Sequence, residues 1–293
     1  MSANVYSKDW QAYLLLAPTL IVITLFLYYP TLDTLRFSFY KTFLFGQNTK
    51  FVGLANFMEL LTTASYRQTV LVTIAFAAIV IVGTIAIGTL VAFMLHRVSW
   101  FQGGYLVAAI WPYALPTAVA GMMILFLAHP TVGIYSNYLQ AWFGIDFDWF
   151  TVGWKAIVVV AIAAVWKQIG FNIIFSLAAF NNVSESLTEA AELDGVPVWK
   201  QFARVYLPLI SPTLVFLIVM NTIYAFFGGF ALVDLMTEGG PNGATNIMIY
   251  RLYQNAFEFS RLGLASAESV VLFVIVAGLT ALQLRISDRY SHY

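Results

Sequence analysis

Five polar side chains stand inside otherwise apolar runs, and their spacing sets out the chemistry this chain can offer. Lys167 is the one formal charge near the middle of its run, with Gln168 and Asn172 forming an i, i+4 stripe beside it. In a later run Asn221, Tyr224 and Gly228 follow i, i+3, i+7 spacing and share a helical face. Amide hydrogen bonds and aromatic faces suit a hydroxylated solute, and an ammonium attracts a phosphate. Burying a lysine in lipid costs at least about 2.5 kcal/mol on insertion scales, so Lys167 must face a partner or water. The same residues also have plainer uses. Gln168, Asn172, Asn221 and Tyr224 can bond helix to helix, and Lys167 can bond carbonyls freed by a neighbouring helix bend. Both uses stay open on spacing alone. Phe226 and Phe227 read as packing.

Covalent chemistry has little to work with. The chain has no cysteine, and its histidines at 96, 129 and 292 are too scattered for a metal site. No phosphate-binding GxxxxGK[ST] loop exists, so the chain should not hydrolyse ATP. No catalytic constellation is visible, which points away from an enzyme and from a bound cofactor. Proton-driven carriers place Asp, Glu or His within their spans. Here the carboxylates fall in loops or at span edges, Glu268 being nearest to an exception. A net charge of zero gives no hint of nucleic acid.

The elements that must hold these residues are membrane helices. The chain is 61% hydrophobic and only 10% charged, with a mean hydropathy of +0.82. A soluble core of this size could not hide so much apolar surface, so lipid is part of the solvent. Six apolar windows reach the roughly 20 residues that a span needs: 12–29, 70–95, 104–128, 156–180, 207–233 and 265–284. The first, with only Lys8 before it and Pro18 within it, reads as a retained span and not a cleaved signal. The expectation is an all-α polytopic protein, 1–293 forming one membrane domain. An even number of spans puts both termini on one side. Lys8, Arg97, Lys200, Arg204, Arg285 and Arg289 fall on that side, against Arg36, Lys41, Lys50, Arg67, Lys155, Arg251 and Arg261 on longer loops. Charge density thus favours termini inside. Trp10, Trp100, Trp142, Trp149, Trp154 and Trp199 fall at span ends or in loops, as an interfacial belt requires. FVGLANFMELL has the spacing of a helix lying on the surface, and TEGGPNGAT is a turn. In WPYALP, Pro112 and Pro116 kink or break the third span, either to line a pathway or as a buried structural bend.

Between the fourth and fifth spans lies a polar island, 181–206, holding EAAELDGVPVWKQFARVYLP. Ser186 and Glu189 fit a capping box. The helix then runs to Asp194, Gly195 supplies a positive φ, and Pro197 opens a second helix. Lys200 and Arg204 share a face at i, i+4. Ala190 and Ala191 keep one side thin enough for close approach. The island reads as a docking site for something soluble, or as an ordinary hairpin packed on its own helices.

EAAELDG followed by VYLP resembles the EAA loop of ABC importer permeases, with Val205 where the family has Ile. AYLLLAPTLIV, KFVGLANF, VWKQIGFN, NTIYAFFGGF, GGPNGAT and ASAESVVLF extend the resemblance over nearly the whole chain, to the carbohydrate-type permeases of the maltose and glycerol-3-phosphate systems. Glu268 departs from it, standing where Gln or a small residue is expected. The resemblance implies a type I importer fold in the inner or plasma membrane with both termini cytoplasmic. It implies a sister permease subunit in a heterodimer, two ATP-binding subunits that hold the ATP and Mg, and an extracytoplasmic solute-binding protein. Glu189, Ala190, Ala191, Asp194 and Gly195 would then dock on the ATP-binding subunit and act as levers on the fourth and fifth spans. The central cavity would open alternately to either side. The expected solute is sn-glycerol 3-phosphate or a glycerophosphodiester, with a neutral sugar as the nearer alternative. A stand-alone secondary transporter or channel is the alternative outside the class.

Overall fold

In lipid a backbone has only its own hydrogen bonds to draw on, and this chain meets that demand with helices. The computed structural model describes residues 9–43 and 48–290. Lys8 and His292 lie outside the described residues, as do the side chains of Ala12 and Arg289. Span one runs through Asp9–Ile23, a π-helical turn at Thr24–Tyr28, and Tyr29–Phe37. Span two is Ala64–His96 and span four Gly153–Asn181. Span five is Ser211–Ile223, a π turn at Tyr224–Gly228, and Phe230–Met236; span six is Leu262–Tyr290. Span three is broken. Gln102–Ala114 and Thr117–Leu127 meet at 97°, with Leu115 and Pro116 extended between them. Among the described residues, five helices are thus long and apolar enough to cross a membrane, or six if the bent pair is one span.

The chain parts into two compact units. The larger comprises 63–251 and 272–293. Its spine is span two against span four, brought close by small residues. A Cβ on Gly83 would stand 2.9 Å from Val165, and one on Gly88 2.6 Å from Asn172. Ala161, Ala164 and Ala92 are fully buried, and Thr89 and Ser176 lie hydroxyl to hydroxyl at 3.4 Å. Lipid supplies no hydrophobic drive between helices, so such close backbone approach is what holds the pair. Gly170 lets span four meet the first half of span three, where a Cβ would stand 2.7 Å from Tyr113. Gly121 does the same for the second half of span three against Leu232.

The smaller unit comprises 1–62 and 252–271. It holds a two-stranded antiparallel hairpin, Tyr40–Phe43 with Asn48–Phe51, which the helical reading of the sequence did not contain. Helix Ala55–Thr62 follows, where FVGLANFMELL was expected. It buries Asn56 and Leu60, and Asn56 Nδ2 donates to the carbonyls of Ser38 and Tyr40 at 2.9 and 3.0 Å. Also here, Asn255 Nδ2 donates to both carboxylate oxygens of Glu268, each at 3.0 Å. That bond ties a π turn at Gln254–Glu258 to the second turn of span six, which gives Glu268 a structural partner.

Candidate functional site

The polar island folds into an elbow. Its first arm is helix Glu185–Leu193 and its second is Val198–Gln201, continued by a π turn at Phe202–Tyr206. Gly195 sits between them at φ +66°, with open space around it. An L side chain is strained in that region, which is why glycine stands there. The expected capping box is absent. The helix starts earlier than the pattern indicated, so Ser184 occupies the N-cap, and its hydroxyl lies 2.8 Å from the Ser186 hydroxyl without capping an amide. With Leu187 at the third helical position, Glu189 is too far along to reach back. Pro197 is the cap of the second arm and not its first helical residue, so that arm starts one residue later than expected.

The elbow is open to its surroundings. Glu189, Ala190, Asp194 and Gly195 are exposed and Ala191 is half-buried. Leu193 is 89% exposed, with Leu187, Val198 and Trp199 exposed as well. Lys200 is half-buried, its ammonium 5.6 Å from the Trp199 ring, whereas Arg204 is exposed. The π turn between them breaks the simple i, i+4 register. A stable aqueous hairpin has no reason to present this much apolar surface beside a thin Ala face.

The mid-span residues are arranged the opposite way. Lys167 is 7% exposed, and its Nζ donates to the Tyr113 carbonyl at 2.9 Å, lying 4.7 Å from the centre of the Tyr113 ring. Tyr113 lies next to the break in span three, where Leu115 and Pro116 leave the helical conformation and the last carbonyls lose their intrahelical partners. Lys167 supplies a donor for one of them. Asn172 and Asn221, both fully buried, pair reciprocally across spans four and five at 2.7 and 3.2 Å. Each amide also donates to a carbonyl one turn back, that of Gln168 or Leu217. Gln168 is 7% exposed. Tyr224 is different: its hydroxyl is buried with no hydrogen-bond partner among the described residues, and its ring lies over Gly228, where a Cβ would stand 2.5 Å away. The two residues are the ends of the π turn at 224–228, and the sequence already placed them on one helical face.

A family model described as "Binding-protein-dependent transport system inner membrane component" matches residues 84–292. The sn-glycerol-3-phosphate transport system permease protein UgpA of Agrobacterium fabrum is 38% identical over 293 residues, covering all of both chains. UgpA of Yersinia enterocolitica is 36% identical over 288 residues, 98% of this chain and 97% of that one. The chain belongs to this family. It is a permease of the carbohydrate ABC-importer type. The crystal structure of a bacterial ABC transporter involved in importing the acidic polysaccharide alginate contains a chain of the same fold. Its TM-score is 0.84 at 21% identity, over 97% of each chain. A chain in the crystal structure of a bacterial alginate ABC transporter in complex with an alginate pentasaccharide-bound periplasmic protein gives a TM-score of 0.83 at 21% identity, over 96% of this chain and 95% of that one.

Two features of the permease escaped the sequence. Trp149 was expected in an interfacial belt. It is instead fully buried, and its Nε1 donates to the Ala128 carbonyl at 2.6 Å. The Ser136 hydroxyl donates to the same carbonyl at 2.9 Å, so both close the end of span three. Trp10, Trp100, Trp142, Trp154 and Trp199 are exposed, as a belt requires. The 129–155 loop also contains a helix, Ile134–Phe143, ended by Gly144 at φ +64°. The second feature is Arg97, just past the end of span two, which donates to Gln201 at 3.2 Å and to Glu192 at 3.4 Å. Only its position after a long apolar run marks it in the sequence.

Proposed function

We propose that this permease imports sn-glycerol 3-phosphate, or a glycerophosphodiester of the same class, driven by a separate ATP-hydrolysing subunit that docks on the elbow at 185–206. Full-length identity of 36–38% to permeases named for sn-glycerol 3-phosphate carries the choice of solute. The elbow carries the choice of engine. Its exposed Leu193, its thin Ala190–Ala191 face and the Gly195 turn form a self-supported knob that makes few bonds of its own at its tip. Glu189, Ala190, Ala191, Asp194 and Gly195 are the docking residues in this reading. They lie in the cytoplasm together with both termini. A sister permease completes the pore in a heterodimer, two ATP-binding subunits hold the ATP and Mg, and an extracytoplasmic binding protein delivers solute. No ATP chemistry falls to this chain, in which GxxxxGK[ST] is absent. The pore works by two discrete packings that partner and solute contacts bias.

Tyr224 is the residue of the solute path whose polar group the fold leaves unspent, and a hydroxyl-rich solute would satisfy it. Gln168, on span four, is the second residue of the solute path in this reading. A neutral sugar remains as a second reading, favoured by one observation: the Lys167 ammonium is already committed to the Tyr113 carbonyl. Asn172 and Asn221 bond to each other between spans four and five, so their amides are already spent.

The test uses the assembled transporter. Leu193→Glu changes an exposed side chain, so the permease should insert and fold with stability altered by no more than about 0.5 kcal/mol. Co-purification of the ATP-hydrolysing subunit and uptake should both fall at least tenfold, a loss of about 1.4 kcal/mol or more. Wild-type recovery of that subunit with the variant would sink the docking reading. Uptake of labelled sn-glycerol 3-phosphate against labelled maltose, each with the cognate binding protein, decides between the two solutes.

A further inference from the structure

The elbow is covalently joined to spans four and five, yet its longest-reaching side-chain bonds run to span two. Arg97 Nη1 donates to Gln201 Oε1 at 3.2 Å, and Nη2 lies 3.4 Å from Glu192 Oε1. Glu192 stands on the first arm and Gln201 on the second, on either side of the Gly195 turn. Gln201 is only 2% exposed, and its Nε2 donates to the Val196 carbonyl at 2.8 Å. Its amide is therefore fixed in orientation, with the oxygen turned to the guanidinium. One planar group thus bridges both arms and the end of span two.

The ground beneath is solid. Phe93 of span two packs its ring against Phe202 at 4.8 Å, Tyr206 at 5.1 Å and Phe180 at 5.7 Å between centroids. His96 Nδ1 lies 2.8 Å from Asn181 Oδ1, and the Thr188 hydroxyl 3.0 Å from that of Tyr206. Spans two and four then continue upward in close contact through Gly83 and Gly88.

We propose that Arg97 is a positioning residue of the coupling machinery. It holds the two arms at a fixed angle and locks both to span two. A push on the elbow then moves spans two and four together, not the fourth and fifth alone. This inference rests on the docking reading above. The Arg97–Glu192 pair is partly exposed, and such pairs are worth little as static stability. Its importance is geometric. A guanidinium fork can serve two acceptors on different elements at once, which an ammonium does not reproduce.

The experiment uses the full transporter in lipid vesicles, with its binding protein and labelled sn-glycerol 3-phosphate, scored as uptake per ATP hydrolysed. Arg97→Met is expected to keep subunit stoichiometry and basal hydrolysis while uptake per ATP falls about fivefold or more, a coupling loss of the usual allosteric size. Arg97→Lys, which keeps the charge and loses the fork, should fall similarly, and it carries the test should Arg97→Met not assemble. The exchange R97E with E192R restores the ion pair to the first arm but not the bond to the second, because Gln201 Oε1, held in place by the Nε2 bond to Val196, then faces a carboxylate. It should recover uptake per ATP only in part, staying at least about twofold below wild type. Arg97 variants that couple as well as wild type overturn the proposal, as does an exchange that couples fully. Failure of the wild-type permease to retain an ATP-hydrolysing subunit overturns the docking reading, and this inference with it. Intact complexes with normal coupling in the variants overturn the role of Arg97 alone.

Discussion

The elbow at 185–206 and the polar level at 167–224 contain similar residue types and use them in opposite ways. In the elbow, Glu189, Asp194 and Leu193 face outward and the chain's own bonds are gathered at its base, around Gln201 and Tyr206. In the membrane, Lys167, Asn172 and Asn221 turn inward and bond to each other or to backbone. Solvent is the reason. Water satisfies an exposed carboxylate at no cost, so the elbow can leave such groups without a protein partner. Lipid satisfies nothing, so each polar group in a span needs a protein partner or a wet cavity. The informative residue in water is therefore the exposed apolar one, Leu193. The informative residue in the membrane is a polar one with no partner among the described residues, Tyr224.

Asn221→Leu should produce the largest stability effect, because it strands the fully buried Asn172 amide. A loss of about 1–3 kcal/mol is expected, read as a lowered Tm of the purified permease. Asn172→Leu with Asn221→Leu removes both partners and should recover much of it. A double variant as unstable as the single would show that the pair is not the unit holding spans four and five.

Lys167→Met comes next and sharpens the contrast by asking what the lysine is for. Leaving the Tyr113 carbonyl without its donor should cost about 1–2 kcal/mol and loosen the bend in span three. If the ammonium serves that bend alone, uptake of sn-glycerol 3-phosphate and of a neutral analogue should fall together. A selective loss of the phosphate ester would instead give Lys167 a direct role in the solute path.

Asp148 supplies the smallest effect, in the loop before span four. The Thr151 hydroxyl, donating to its carboxylate at 2.6 Å, and the Phe150 amide at 3.0 Å hold its pKa below the usual carboxylate value. A depressed folded pKa stabilises the loop above the unfolded value of 3.8 and loses that stability as pH falls through the folded one. Wild type should resist loop proteolysis slightly better than Asp148→Asn at neutral pH. The two should converge only as the pH falls well below 3.8.

Much of the fold was legible because it is written in one dimension. Twenty apolar residues in a row mean a span whatever they pack against, and the two prolines of WPYALP mean a break. Gly195 between two helical patterns means a turn with positive φ, which the structure has at +66°. The capping box, by contrast, failed by a shift of two residues. Helix starts are decided by small local differences among neighbouring serines. The strand hairpin at 40–51 and the helix at 134–143 were missed for a related reason. Neither is long or periodic enough to stand out from loop composition.

By itself, the sequence determined that this chain lives in lipid and roughly where along it the spans fall. Those properties depend on composition and local order alone. The tertiary structure decided which groups are spent and which are free. That Lys167 would find Tyr113, that Asn172 would find Asn221, and that Arg97 would reach across to both arms of the elbow all depend on partners 49 to 104 residues away. A buried polar group takes whichever partner packing brings within about 3 Å. No pattern along the chain records which one that is.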